Sequence, residues 1–91
     1  MVNLQQRPLP APGYHIESLD GELLLFNPAS DQILQTNQSG ALVWQLCDGR
    51  RTIADITALL AAAYPDAAAA ITDDVPAILA GFARHGAIHW Q

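Results

Sequence analysis

The sequence predicts an α+β fold in which a three-stranded antiparallel sheet is followed by three helices. The first observation is Asp20-Gly21 between two apolar runs, a strong β-hairpin signal because both turn residues can take positive φ. The second is a third short apolar run, Gln32 to Thr36, after a turn-rich segment. The third is a change to helical spacing of the apolar residues from Gln38 onward.

The predicted sheet is built from consecutive short strands. The first strand spans Tyr14 to Leu19 and the second spans Glu22 to Phe26. Residues 23–26 are continuously apolar, so we expect the second strand to be central or covered on both faces. The composition of residues 27–31 (Asn-Pro-Ala-Ser-Asp) predicts a turn, and residues 32–36 return as the third strand. That strand lies at an edge of the meander unless something covers it, and its unpaired backbone groups can accept another strand.

The first predicted helix spans residues 38–47. Asn37 or Ser39 caps it by accepting a backbone N–H. Trp44 and its apolar neighbours recur at helical spacing, which predicts that Trp44 belongs to the core. Asp48-Gly49 ends the helix because glycine takes the left-handed conformation easily.

The second predicted helix spans residues 53–64. Thr52 and Asp55 resemble a capping box with Asp in the usual place of Glu. The segment Pro65-Asp66 ends this helix.

The third predicted helix carries one apolar stripe with a proline inside it. Pro76 removes a helical hydrogen bond. Either Asp66 caps a long helix that bends at Pro76, or the regular helix begins near Asp73 with Pro76 in its first turn. Residues 84–86 (Arg-His-Gly) end the helix, and residues 87–90 form a short apolar tail that packs back on the domain. The stripe consists of Ile71, Val75, Ile78 and Phe82.

Length and composition indicate one small domain. The chain has 91 residues, of which 51% are hydrophobic, and this favours an ordered globule over disorder. Residues 1–12 contain three prolines and few apolar residues, so we expect a flexible N-terminal tail. Residues 13–91 then form the folded domain.

Charge and cysteine content exclude several classes of function. The net charge is −5, with four arginines and no lysine, so binding to nucleic acid is not expected. The single cysteine allows no intramolecular disulfide, which fits a reducing compartment. The N-terminal segment lacks the apolar run of a signal peptide, and no stretch approaches the ~20 apolar residues of a membrane span. These observations predict a cytoplasmic protein without a membrane partner.

Few residues suggest catalysis. Cys47 lies on an apolar helix face with no histidine near it in sequence, which is typical of a small buried hydrophobe and not of a nucleophile. His85 and His89 have a spacing of four, but Gly86 is expected to end the helix between them and no further ligand lies close by. We therefore predict no catalytic residue, no metal site and no cofactor.

The order of three strands and three helices is that of a compact winged helix-turn-helix variant, and the residues add a family resemblance. From about Gly13 to Ile88 the sequence resembles the PqqD family of peptide chaperones, also called recognition elements for ribosomally made, post-translationally modified peptides. No single motif is diagnostic, but the ordered set is fairly specific. The residues that carry the resemblance are Leu34, Asn37, Gly40, Val43-Trp44, Leu46, Asp48-Gly49, Thr52-Ile53, Ile56, Leu60, Tyr64, Asp74-Val75, Gly86 and Ile88.

The sequence also departs from PqqD proteins that serve pyrroloquinoline quinone (PQQ) biosynthesis. Those proteins tend to carry an arginine-rich first hairpin and a Pro-Glu-Arg turn before the third strand, whereas this chain has Asn-Pro-Ala-Ser-Asp at residues 27–31. It looks more like the relatives found in lasso-peptide and other peptide-modification clusters. Pro76 is also unexpected in the third helix.

The resemblance implies a non-catalytic domain that binds the leader of a precursor peptide and presents it to a modifying enzyme, such as a radical SAM enzyme or a leader peptidase. In the family the leader adds as a strand to the third strand and lies against the third helix. Carried over to this sequence, the peptide-binding residues are Ile33, Leu34, Gln35 and Thr36 on the strand, and Asp73, Asp74, Ala77, Ile78, Gly81 and Phe82 on the helix. We hypothesise that Ala77 and Gly81 leave room for leader side chains.

Alternative interpretations remain at this point. Residues 73 and 74 either contact a peptide or only favour a helix N-terminus electrostatically. The second and third helices suit a winged helix-turn-helix DNA-binding regulator, against which the missing lysines argue. A protein–protein adaptor subunit is a third class, and the open edge strand allows a homodimer through the third strand.

Overall fold

The computed structural model describes residues 3–20, 22–29 and 31–91, and it has the predicted α+β architecture. Five strands and three α-helices are assigned over these residues, with a short 3-10 helix before the last α-helix. In chain order they are β1 (Pro8–Pro10), β2 (His15–Leu19), β3 (Glu22–Asn27), β4 (Gln32–Thr36), α1 (Gln38–Leu46), α2 (Ile53–Ala63), the 3-10 helix (Pro65–Ala67), α3 (Ala68–Arg84) and β5 (Ile88–Trp90).

The main sheet is the predicted antiparallel meander, with strand order β2-β3-β4. β3 is therefore the central strand, as its apolar run predicts. Leu25 lies opposite both Ile16 and Leu34, and this cross-strand row faces the core. Because side chains alternate along a strand, Phe26 lies on the outer face, opposite Ile33.

Both turns of the meander include aspartates with positive φ. Asp20 has φ 52° and Asp31 has φ 56°. The positive φ of Asp20 agrees with the predicted hairpin turn. The two turn predictions also depend on Gly21 and Ser30, which lie outside the described residues.

A second, two-stranded sheet replaces part of the predicted flexible tail. β1 pairs antiparallel with β5, with Pro8 opposite Trp90. The backbone N–H of Ala11 donates to the carbonyl of Ala87 at 2.7 Å, and Ala11 is only 8% exposed. The expectation of a flexible tail over residues 1–12 is therefore wrong for residues 8–11; residues 1 and 2 lie outside the described part of the chain. Prolines suit this strand because an edge strand tolerates missing N–H donors.

The first two helices begin as the sequence predicts. Asn37, and not Ser39, caps α1, since its side-chain oxygen accepts the Gly40 N–H at 2.8 Å. Thr52 and Asp55 form a reciprocal capping box at the start of α2, with both hydrogen bonds at 3.0 Å.

Helix α3 is long and continues through Pro76. It starts at Ala68, directly after the 3-10 helix that contains Asp66. Its N-cap residue, Ala67, makes no side-chain capping bond, so Asp66 does not cap it. Asp73 and Asp74 lie beyond the first turn, where the field of a helix terminus has faded. The interpretation of these aspartates as N-terminal charges is therefore wrong.

The core lies between the inner face of the main sheet and the three helices. Trp44 packs against it, edge-on to Phe82 with ring centroids 5.8 Å apart. Cys47 is 5% exposed. Burial, with a smaller contribution from the negative charge of Asp48, raises the pKa of its thiol to about 12. The buried residues of this cluster are Leu25, Val43, Cys47, Ile53, Ile56, Val75, Leu79, Phe82, Ala87 and Ile88.

Among the residues described, no helix has the length and apolar character needed to cross a membrane.

Candidate functional site

Strand β4 has one free edge. It pairs with β3 on one side, and no strand within the described residues pairs with its other side. Backbone N–H and C=O groups on such an edge are ready to pair with another extended chain. Along β4, Leu34 is partly buried against the core, whereas Ile33 is 68% exposed.

A groove runs between the free edge of β4 and helix α3. It encloses about 390 Å³. Phe82 contributes to its wall and is only 3% exposed, which is consistent with its edge contact to Trp44. We call this the strand groove; its lining residues are Leu34, Gln35, Thr36, Asn37, Ala77, Ile78, Gly81 and Phe82.

Gly81 lies beside open space in the strand groove. A Cβ built on Gly81 would have no neighbouring atom within 4 Å. Gly81 has no positive φ, so no backbone conformation demands glycine there. A glycine inside a helix normally lowers the stability of the protein by about 0.5–1 kcal/mol relative to alanine. At residue 81 the glycine leaves this space in the groove unfilled.

The structure brings most of the sequence-predicted site residues to the strand groove. Leu34, Gln35, Thr36, Ala77, Ile78, Gly81 and Phe82 all line it. Asn37 also lines the groove, which the sequence does not predict, because its pattern indicates only a helix cap. Its place directly after the edge strand was the signal that could have found it.

Three predicted residues lie elsewhere. Ile33 projects toward the outer face of the sheet, as the alternation along β4 requires. Asp74 lines a different cavity, and Asp73 is exposed and absent from the lining of both. Helical spacing places Asp73 about 40° from Ala77 and Asp74 about 20° from Gly81 around α3, so each pair shares a face of the helix. Position along the helix axis separates them, because Asp73 lies about 6 Å before Ala77 and Asp74 about 10.5 Å before Gly81.

A second cavity, also of about 390 Å³, lies between the three helices. We call it the helical cavity. Sequence reasoning missed it, since its walls come from three segments far apart in the chain. Its lining residues are Gln38, Ser39, Leu42, Val43, Leu60, Tyr64, Ala67, Ala70, Ile71, Asp74, Val75 and Ile78.

The strand groove is electrically neutral, because none of the residues that line it is charged.

Two arginine side chains make polar contacts near the turn between α1 and α2. Arg51 forms a salt bridge to Asp48 at 3.2 Å, and Arg7 donates to the Arg50 carbonyl at 3.1 Å. Backbone N–H groups of Arg51 and Arg50 donate to Asp48 and lower the pKa of its carboxyl. The described residues contain no group of three or more His, Cys, Asp or Glu side chains placed to hold a metal ion.

Comparison with known proteins gives one match. The family model described as coenzyme PQQ synthesis protein D (PqqD) matches residues 22–88. This segment includes β4 and all of α3, and thus both walls of the strand groove. No curated protein and no solved structure matches the chain.

Proposed function

The chain belongs to the PqqD family, whose model matches most of it, and we propose that it binds the leader of a ribosomally synthesised precursor peptide and presents it to a modifying enzyme. Family membership implies a peptide-binding role beside a partner enzyme in PQQ synthesis. The proposal goes further, since it places the peptide at one site and extends to lasso-peptide and related pathways.

The observation that carries this proposal is the strand groove beside a free strand edge. An extended peptide that adds to β4 gains main-chain hydrogen bonds, and pockets for alternate side chains supply the selectivity. Side chains on one face of the added strand enter the groove beside Ala77 and Gly81, which are small and leave space. Phe82 and Ile78 offer apolar contact there.

The same features support a domain that presents the leader peptide to an enzyme and does not itself catalyse a reaction. The groove has no charged or titratable side chain in its lining, so it offers no general acid or base. Cys47 is buried with a raised pKa, which keeps the thiol protonated and unreactive at neutral pH. The chemistry is then supplied by the partner, such as a radical SAM enzyme or a leader peptidase.

A homodimer through β4 would use the same edge. In this proposal a second copy and a leader compete for one row of backbone groups. Leader binding is therefore expected to dissociate any dimer formed through β4.

The test is a backbone amide NMR titration of the labelled protein with synthetic leader peptides of precursors encoded near its gene. We expect shifts at residues 33–36 of β4, at Asn37 and at residues 77–82 of α3. A short DNA duplex serves as the rival ligand, and its binding would fall steeply with salt. Shifts caused only by the duplex would replace this proposal with a DNA-binding regulator. Binding of the enzyme without any leader shift would favour an adaptor subunit.

A further inference from the structure

We propose that the helical cavity is a second subsite for the bound peptide, which takes an apolar side chain whose neighbour in the peptide is lysine or arginine. This inference rests on the proposed function and adds to it a specific recognition element. It concerns a different surface from the free edge of β4.

The size and lining of the helical cavity suit an apolar side chain together with part of the neighbouring residue. Its volume of about 390 Å³ falls within the range of small-ligand pockets, roughly 300–1,000 Å³. Leu42 from α1, Leu60 from α2 and Ile71 from α3 give it apolar walls on three sides. Tyr64, at the C-terminal end of α2, also lines the cavity and is 50% exposed.

The helical cavity adjoins the strand groove. Ile78 lines both. A third hollow, at the end of the sheet, shares Gln38 and Leu42 with the helical cavity and shares Thr36 with the strand groove. A peptide that runs along β4 and passes its C-terminal end therefore reaches the helical cavity without leaving the protein surface.

The negative charge around the helical cavity favours a cationic residue next to the apolar side chain of the peptide. Asp74 lines it, while Asp73 is next in sequence and Asp66 lies in the 3-10 helix beside the lining residue Ala67. Across the described residues, the salt bridge found is Arg51–Asp48, so Asp74 is not neutralised by a cation of its own chain.

The chain's own arginines are placed elsewhere. Arg51 lies near the C-terminal end of α1, whereas the cavity uses residues 38–43 at its N-terminal end. Arg84 is ten residues beyond Asp74 on α3, about 15 Å along the helix. A lysine or arginine of the peptide can lay its aliphatic stem on the apolar wall and place its charge near Asp74, with the ring of Tyr64 as a second contact for the cation.

Two blocked dipeptides test the inference directly. Acetyl-Leu-Lys-amide is expected to shift the methyl signals of Leu42, Leu60 and Ile71 in the labelled protein. It should bind about threefold to fivefold more tightly than acetyl-Leu-Glu-amide, the ratio expected for a solvent-accessible ion pair. D74N should remove this preference. Equal binding of the two dipeptides, or shifts confined to other surfaces, would overturn the inference.

Paired variants separate this subsite from the strand groove. Ala70 lines the helical cavity and Ala69 does not, although both are exposed in α3. A70F should abolish dipeptide binding, while A69F leaves it intact. G81L fills only the strand groove and should leave dipeptide binding unchanged. Dipeptide binding that survives A70F would reject the subsite, whereas absence of leader shifts at β4 would instead reject the proposed function.

Discussion

Gly40, at the start of α1, lies so close to Thr36, at the end of β4, that a Cβ on residue 40 would overlap the Thr36 hydroxyl oxygen. Asn37 between them caps the helix through the Gly40 N–H at 2.8 Å. Glycine at residue 40 thus allows the helix to begin directly against the edge strand. This contact positions the end of the strand groove, since Thr36 and Asn37 line it.

The first prediction concerns this contact. G40A should destabilise the protein by about 1–3 kcal/mol, the usual cost of overpacking, although alanine normally stabilises a helix relative to glycine. T36A in the same chain should restore part of the loss because it removes the overlapping hydroxyl. Urea unfolding measures both variants, with S39A as the exposed neighbouring control. A G40A protein more stable than the parent would show that the contact imposes no constraint.

The second prediction concerns the open space at Gly81. G81L should keep the protein folded, because a Cβ there meets no atom within 4 Å, and should weaken leader binding by about tenfold or more, a loss of at least about 1.4 kcal/mol. A80L is the matched control, since Ala80 is exposed on the same helix and does not line the strand groove. Calorimetric titration compares the two variants. Equal affinity of G81L and A80L would place the peptide elsewhere.

The third prediction uses Trp44 as a reporter. Trp44 contacts Phe82, with ring centroids 5.8 Å apart, and Phe82 lines the strand groove. A bound leader side chain changes the surroundings of Phe82 and should therefore change Trp44 emission. W90F removes the second tryptophan, so the remaining signal comes from Trp44 alone. An emission change with W90F that disappears with G81L is expected; a change that persists with G81L would indicate another binding surface.

The fourth prediction concerns the N-terminal segment, residues 3–11. Carbonyls of Gln6 and Leu4 accept the first N–H groups of α2, from Ile53 at 3.0 Å and Ala54 at 3.1 Å. Further bonds join Gly49 N–H to the Pro8 carbonyl at 2.9 Å and Gln91 N–H to the Arg7 carbonyl at 2.7 Å. Removal of residues 1–11 breaks all four. At about 1 kcal/mol each, it should destabilise the protein by about 3 kcal/mol or more.

A matched pair of point variants checks the same N-terminal segment without shortening the chain. A11D puts a carboxylate at a buried position, whereas P12D changes its exposed neighbour. Thermal unfolding should show a clear loss of stability for A11D and little change for P12D. Equal melting temperatures for the two variants would mean that burial of Ala11 contributes nothing to stability.

The fifth prediction concerns pH and Cys47. The pKa of the thiol rises from 9.0 to about 12 on folding, so the folded state retains the proton that the unfolded state loses. This contribution to stability is complete below pH 9 and is lost as the pH rises from about 9 to 12. C47A should therefore lose less stability than the parent across that window. The native thiol should also react with iodoacetamide far more slowly than the thiol in urea at the same pH; equal rates would contradict its burial.

The sequence determined the local elements because their signals come from residues next to one another. The capping box at Thr52 and Asp55 and the cap at Asn37 depend on short-range hydrogen bonds. The central place of β3 in the sheet follows from its continuous apolar run at residues 23–26. The strand groove could also be anticipated, since the family resemblance named most of its lining residues.

Only the tertiary structure decided the features that depend on residues far apart in the chain. β1 and β5 have three residues each, too few to show a period, and their pairing joins the two ends of the chain. Helix α3 continues through Pro76, where packing of Val75 and Leu79 into the core outweighs the lost backbone bond. The helical cavity and the position of Asp74 beside it follow from the packing of three helices, which no single segment encodes. Local sequence specifies which elements form, whereas burial of apolar surface between distant segments decides how they meet and which surfaces stay open.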